Sequence, residues 1–253
     1  MREKLYTIPL NDAINADDEC PFCFIEREVE QDLLDFVLGS GSSYMESDIR
    51  EATDEEGFCR THFKKMFDYG NTLGNAWILK THYERSIREM TEQFNNFTPA
   101  KSPLMAKFKK NTEQVNPIGG WAKQKEQSCY ICSRYADTYD RYLDTFFVMY
   151  KSDEAFREKV EHSKGFCLKH FGDLCEAADQ KLSEKEKKDF FPKMFRLMIA
   201  EMERMSADVA WLVEKFDYRN QNADWGNSRD AIQRGMQKMK GGYPADPIYK
   251  AQK

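Results

Sequence analysis

Apolar residues return every three or four positions along most of this chain, which is the period of a helix with one face buried. Phe24, Ile25, Val29, Leu33, Leu34 and Val37 predict a helix over 22–38, closed by the run Gly39-Ser40-Gly41-Ser42-Ser43. A short helix over 44–53 and another over 59–69 follow, the latter stopped by Gly70. Trp77, Tyr83, Ile87, Met90 and Phe94 line one side of a long helix over 72–94. Residues 95–125 hold Pro99, Pro103, Pro117 and the Gly119-Gly120 pair, and read as a linker with room for one short helix between Pro103 and Asn111.

The pattern then repeats. Tyr135, Tyr139, Tyr142, Phe146 and Tyr150 predict a helix over 131–150, and Ser152 is placed as the N-cap of a helix reaching His162. A further helix runs over 167–178. Ser183 and Glu186 form a capping box that opens a very long helix to about residue 216, with a kink or restart at Pro192. Its apolar stripe is Phe195, Met198, Ile199, Met202, Met205, Val209, Leu212 and Phe216. The methionines Met194, Met198, Met202 and Met205 suit core packing first and an adaptable groove second. Residues 1–19 read as an extended lead-in, with Leu5, Ile8 and Leu10 as a strand or arm. The tail from residue 217 holds a short helix over 228–239 and is expected to pack on the surface or lie loose. The predicted fold class is all-α. The expected division is a first helical half at 1–95, a linker at 96–125, a second helical half at 126–220 and a tail at 221–253.

Six of the seven cysteines and two of the four histidines sharpen this picture. Cys20-Pro21-Phe22-Cys23 is followed by Gly57-Phe58-Cys59-Arg60-Thr61-His62, with 35 residues between Cys23 and Cys59. Cys129-Tyr130-Ile131-Cys132 is followed by Gly165-Phe166-Cys167-Leu168-Lys169-His170, with 34 residues between Cys132 and Cys167. A Cys-x-x-Cys turn aims two sulfurs to one side, and Cys-x-x-His at a helix start does the same for one sulfur and one ring nitrogen. Two such hooks supply the three sulfurs and one nitrogen that suit tetrahedral zinc. The matched spacings pair the hooks within each half: Cys20, Cys23, Cys59 and His62 for one ion, and Cys129, Cys132, Cys167 and His170 for a second. Each half is then clamped by its own Cys₃His site.

Three cysteines and a histidine also hold iron–sulfur clusters, which is the alternative cofactor. Dithiol redox chemistry at Cys-Pro-Phe-Cys requires a strand before the pair, and the surroundings here are helical. Phe58, Phe63, Phe166 and Phe171 flank the hooks symmetrically and are expected to wall off the sites. Cys175, His82 and His162 read as packing or surface residues.

Charge and composition narrow the rest. A hydrophobic content of 41% allows a real core, while a net charge of −5 argues against nucleic acid as the main partner. No run of roughly 18 apolar residues occurs, so no membrane partner is expected. The first ten residues lack the apolar core of a secretory signal, and free thiols fit a cytoplasmic setting. No nucleophile–base pair and no phosphate-binding glycine loop is visible. The expectation is therefore a metal-stapled scaffold or interaction protein rather than an enzyme, with an unidentified protein or small molecule as partner. A redox or sensor protein is the alternative.

The paired hooks, together with Lys215-Phe216-Asp217-Tyr218-Arg219 and Trp225-Gly226-Asn227-Ser228-Arg229-Asp230-Ala231, resemble an uncharacterised family from Gram-positive anaerobes, a domain of unknown function. The resemblance extends over nearly the whole chain. It implies an early Cys-Pro-x-Cys and a later Gly-Phe-Cys-x-x-His, from which this sequence departs only in having Tyr130 after Cys129. It implies no activity, and an anaerobic setting favours the iron–sulfur alternative.

Overall fold

A computed structural model describes residues 2–41, 43–98 and 116–242. The described residues form eleven α-helices and no strand, so the fold is all-α. In order these are α1 (Arg2–Asn15), α2 (Pro21–Leu38), α3 (Ser47–Glu56), α4 (Arg60–Tyr69), α5 (Thr72–Asn95), α6 (Pro117–Gln127), α7 (Tyr130–Ser152), α8 (Glu154–Glu161), α9 (Leu168–Lys181), α10 (Glu184–Glu214) and α11 (Ala231–Lys240). No helix is long and apolar enough to cross a membrane among the described residues.

Most helix ends fall where local chemistry places them. Gly70 stops α4 in the left-handed conformation at φ 88°, which a residue without Cβ adopts freely. Ser183 and Glu186 form the predicted capping box of α10. Asp153, one residue past the expected Ser152, caps α8 by accepting from the Phe156 amide at 3.0 Å.

Two segments depart from expectation. Residues 2–15 are helical despite Pro9, because α1 buries Leu10 and Ala13, and tertiary burial outweighs the local cost of the proline. In the expected linker, Pro117 opens α6 as an early helical residue and Asn116 caps it by accepting from the amides of Ile118 and Gly119. A proline at that position loses no helical hydrogen bond. The short helix expected between Pro103 and Asn111, and the last residues of the tail, lie outside the described residues. Pro192 lies inside a continuous α10.

The chain forms two compact units that do not follow the expected halves at 1–95 and 126–220. One takes the described residues within Met1–Val29 and Ala136–Pro247, and the other takes those within Glu30–Tyr135. Both boundaries fall inside long helices, α2 and α7. A helix of 18 residues runs about 27 Å at 1.5 Å per residue, so α2 carries the chain well away from Cys20 before the next hook begins.

The first unit has an aromatic core. Phe22 touches Tyr139, Phe146 and Phe166 with ring centroids 5.5–5.7 Å apart. Phe146, Phe147, Phe156 and Phe190 are almost wholly buried around them. The second unit packs Leu34, Val37 and Leu38 of α2 against Tyr44, Phe58, Met66, Tyr69, Ile78 and Ile131.

Candidate metal centres

All four hooks stand at helix N-termini, where the helix dipole and free amides favour a thiolate. Cys20 precedes α2, and its carbonyl accepts from the amides of Cys23 at 2.9 Å and Phe24 at 3.2 Å. Cys129 precedes α7, and its carbonyl accepts from Ser133 at 3.0 Å. Cys59 and Cys167 are the N-caps of α4 and α9, with nearly identical backbone angles (φ −70°, ψ 164° and φ −73°, ψ 162°). The histidine three residues later therefore points its Nδ1 back to its own cysteine, at 3.2 Å from Cys59 and 3.3 Å from Cys167. Gly57 and Gly165 turn the chain into these caps at φ 61° and φ 71°. A Cβ on Gly57 would come within 2.7 Å of His82 Cε1.

The structure corrects the expected pairing of hooks. Cys20 and Cys23 meet Cys167 and His170, while Cys59 and His62 meet Cys129 and Cys132. Each quartet lies inside one unit and takes one hook from each half of the sequence. The eight residues are the expected ones, and their make-up per site remains three sulfurs and one nitrogen.

The end of α3 explains the exchange in the second unit. Gly57 O accepts from the Tyr130 amide at 2.9 Å, and Glu56 O accepts from Ser128 Oγ at 2.6 Å. Arg134 pairs with the Glu56 carboxylate, so the residues around the second Cys-x-x-Cys are bonded to the turn that precedes Cys59. In the first unit Lys238 does the equivalent. Its Nζ donates to Glu19 O and Lys164 O, each at 2.6 Å, joining the residue before Cys20 to the residue before Gly165.

The quartet geometry fits one tetrahedral ion. Within each, all four ligand atoms lie within 4.8 Å of one another. In the first, His170 Nδ1 is 3.3 Å from Cys20 Sγ and 3.5 Å from Cys23 Sγ, and Cys23 Sγ is 3.7 Å from Cys167 Sγ. In the second, His62 Nδ1 is 3.2 Å from Cys129 Sγ and 3.4 Å from Cys132 Sγ, and Cys59 Sγ is 3.9 Å from Cys132 Sγ. Bond lengths of about 2.3 Å to sulfur and about 2.0 Å to nitrogen at the tetrahedral angle require separations of roughly 3.75 Å and 3.5 Å.

Electrostatics within each quartet are those of crowded thiols that a cation could hold. Burial pushes the Cys20 thiol well above its ordinary value, and contacts with Cys167 and Cys23 add to this. Cys23 is pushed up to about 12, first by Cys167. Cys167 is held far below its ordinary value by the Cys20 and Cys23 thiols bonded to it. Cys129 is burdened by burial, yet His62 and the amides of Cys59 and Cys132 lower it to about 6. Burial and the Cys129 thiolate push Cys132 up. Neighbouring thiols thus oppose one another's ionisation, and a divalent cation among them would offset that repulsion.

The two quartets differ in exposure. Cys20, Cys23, Cys167 and His170 are all buried. In the second, Cys129 and His62 are buried, Cys59 is half-buried and Cys132 is exposed. They also differ behind the histidine. His62 Nε2 meets Glu30 Oε1 at 3.1 Å, and Glu30 in turn pairs with Lys65. A carboxylate there fixes the ring and strengthens its Nδ1 as a ligand. His170 Nε2 is buried without a hydrogen-bond partner among the described residues, and Glu26 Oε2 stands 3.8 Å away.

Several contributors carry no strong sequence signal. Gly241 and Gly242, at φ 72° and φ 63°, lie over the first quartet. A Cβ on Gly241 would stand 3.4 Å from Cys167 Sγ and 3.7 Å from Cys23 Sγ, and the Gly242 amide donates to Cys23 Sγ. The tail, expected to pack on the surface or lie loose, thus reaches the first quartet, and the Gly-Gly pair is the sign of this in the sequence. Glu19 is buried and pairs with Arg204, Arg234 and Lys238. Phe58 and Phe166 are buried beside their hooks, while Phe63 and Phe171 are only half-buried. Tyr139 joins the wall of the first quartet, its ring centroid 5.4 Å from His170.

Cys175 belongs to neither quartet. The His82 ring supports the turn before Cys59 by donating from Nδ1 to Asp54 O at 2.9 Å. His162 is exposed, bonded to Glu158 O, and takes no part in a quartet.

A family model described as a family of unknown function, DUF6062, matches residues 1–246. The chain belongs to this family. That span takes in both quartets and the Gly241-Gly242 turn that covers one of them. No curated protein and no solved structure matches this DUF6062 chain.

Proposed function

We propose that this protein holds two zinc ions as structural staples and serves in the cytoplasm as a scaffold or interaction protein. The ligand spacing carries the reading. Separations of 3.2–3.9 Å among the sulfurs and ring nitrogens leave room for one tetrahedral ion per quartet. A cluster sets several irons and sulfides between its ligands and spreads them farther. Four protein ligands per ion also leave no open position for a reacting water, the mark that separates structural from catalytic zinc. With zinc bound, Cys20, Cys23, Cys167 and His170 would join α2 to α9, and Cys59, His62, Cys129 and Cys132 would join α4 to α7. When bound, the ion supplies cross-linking energy on the order of 10–16 kcal/mol in small peptides.

The test is elemental analysis and a visible spectrum of protein purified without oxygen. Two zinc per chain and no colour are expected. Iron with sulfide and a brown chromophore would overturn the zinc reading.

The exposure of Cys132 favours a second reading for that quartet alone, a labile or redox-sensing thiolate site. Limited alkylation of the metal-loaded protein then marks Cys132 and releases one of the two ions first. Simultaneous release of both ions would exclude this reading.

A further inference from the structure

Helix α11 buries its polar residues and leaves most of its apolar ones in solvent. Gln237 and Lys238 are almost wholly buried, whereas Ile232, Met236 and Met239 are about half exposed and only the small Ala231 is buried among its apolar residues. A helix held by its apolar face does the reverse. Its apolar contact with α10 is slight: Gly235 faces Val209 and Met205, beside a shallow groove of about 250 Å³. The firm attachments are polar, and they go to the residues that carry the first quartet. Gln237 Nε2 donates to Asp18 Oδ1, which also accepts from the Cys20 amide. Arg234 pairs with Glu19, next to Cys20, and with Asp208. Lys238 joins Glu19 to Lys164, at the foot of the other hook. Past the helix, Gly241 lies against Cys167 Sγ and the Gly242 amide donates to Cys23 Sγ.

This seat exists only while the two hooks stand at one fixed separation. Lys238 Nζ lies 2.6 Å from a carbonyl of each, and a hydrogen bond weakens steeply when its geometry is lost, whereas apolar contact is non-directional. An ion ligated by Cys20, Cys23, Cys167 and His170 would hold that separation. A buried ammonium that loses its acceptors is driven back to water, so a parting of the hooks expels Lys238 and the helix that carries it. The loop before α11 is anchored independently. Lys215 Nζ donates to the carbonyls of Asn220, Gln221 and Ala223, and Trp211 Nε1 donates to Asp224 O. These bonds tie the loop to the end of α10, so release at the quartet frees α11 and its glycine turn while the loop holds.

We infer that α11 with the Gly241-Gly242 turn is a latch coupled to the ion: it closes over the first quartet when the ion is bound and opens when the ion is lost. Occupancy of the quartet is thereby read out as the position of the 231–242 segment. The inference deepens the metal reading. It rests on an ion in the first quartet and not on that ion being zinc.

Hydrogen exchange of the full chain, stripped with chelator under reducing conditions and then titrated with Zn²⁺, tests it. Binding should slow exchange in α11 by roughly 5–150-fold, the range of coupled sites, while α8 and α10 of the same unit change little. Gln237→Ala touches no ligand. In the loaded chain it should speed exchange in α11 by roughly tenfold through the lost bond to Asp18. By reciprocity it should weaken one of the two ions by the same factor in chelator competition. Protection of α11 that is equal with and without Zn²⁺ overturns the inference. So does loss of protection in α8 and α10 together with α11, which makes the ion a staple of the whole unit, or a Gln237→Ala chain whose ion affinities are unchanged. A chain that takes up no Zn²⁺ overturns the zinc reading along with the latch, and the metal count tells that failure from the others.

Discussion

Lys238 gives the sharpest test of how the buried quartet is held. Its side chain is 2% exposed, and its ammonium group sits 3.1 Å from Glu19 Oε2, besides donating to the carbonyls of Glu19 and Lys164. Lys238→Met keeps the length and the apolar stem but removes all three interactions. Each carbonyl left without its partner costs about 1–3 kcal/mol. Glu19 retains Arg204 and Arg234, so its loss is smaller than the 3–5 kcal/mol typical of a broken buried pair, and about 1 kcal/mol is a fair share. The sum is about 3–7 kcal/mol, directed at the seam between the Cys20 and Cys167 hooks. Global unfolding is a poor readout for a chain of two compact units, so ion release is the better assay. With a chromogenic chelator in excess, the ion held by Cys20, Cys23, Cys167 and His170 should weaken by at least about 100-fold, since each 1.4 kcal/mol is tenfold. The other ion should be unaffected. A change of less than about threefold at the first site, or equal loss at both, would refute the assignment of Lys238 as the tie between the two hooks.

Three further outcomes are expected. Glu30→Gln removes the carboxylate behind His62 and should lower metal affinity about 10–100-fold at the exposed quartet only, as read by competition titration. Gly57→Ala forces a Cβ against the His82 ring at positive φ and should cost about 1–3 kcal/mol, visible as lost hydrogen-exchange protection in the second unit and not in the first. Glu89 is opposed by burial, yet Lys125, Arg85 and Trp121 lower its carboxyl from the ordinary 4.5 to about 2. Its folded value is below its unfolded one, so its contribution is complete above about 4.5 and fades as pH falls toward about 2. Glu89→Gln should flatten acid-induced unfolding of the second unit in that window, and an unchanged acid profile would count against the ion pairs with Arg85 and Lys125.

Local chemistry was legible in the sequence. The four hooks, the ligand types, the all-α class, the Ser183 box and the Gly70 stop each depend on residues within one turn of each other, and the chain wrote them plainly. The α1 helix and the Pro117 start of α6 were harder, because proline carries opposite meanings at different helical positions and burial of Leu10 and Ala13 is not a local property.

Which hook meets which was decided by tertiary structure alone. Two copies of the same motif at the same spacing are chemically equivalent ligand sources, so spacing cannot choose between pairing within a half and pairing across halves. The choice falls to contacts distant in sequence: Tyr130 on Gly57, Ser128 on Glu56, and Lys238 bridging Glu19 and Lys164. The same holds for Glu30 behind His62 and for the Gly241-Gly242 turn over Cys23 and Cys167. The sequence determined which side chains could serve as ligands, since that depends on residue type and local spacing. The fold determined which helices each site joins and which site faces solvent, since those depend on how long helices such as α2 carry their ends apart.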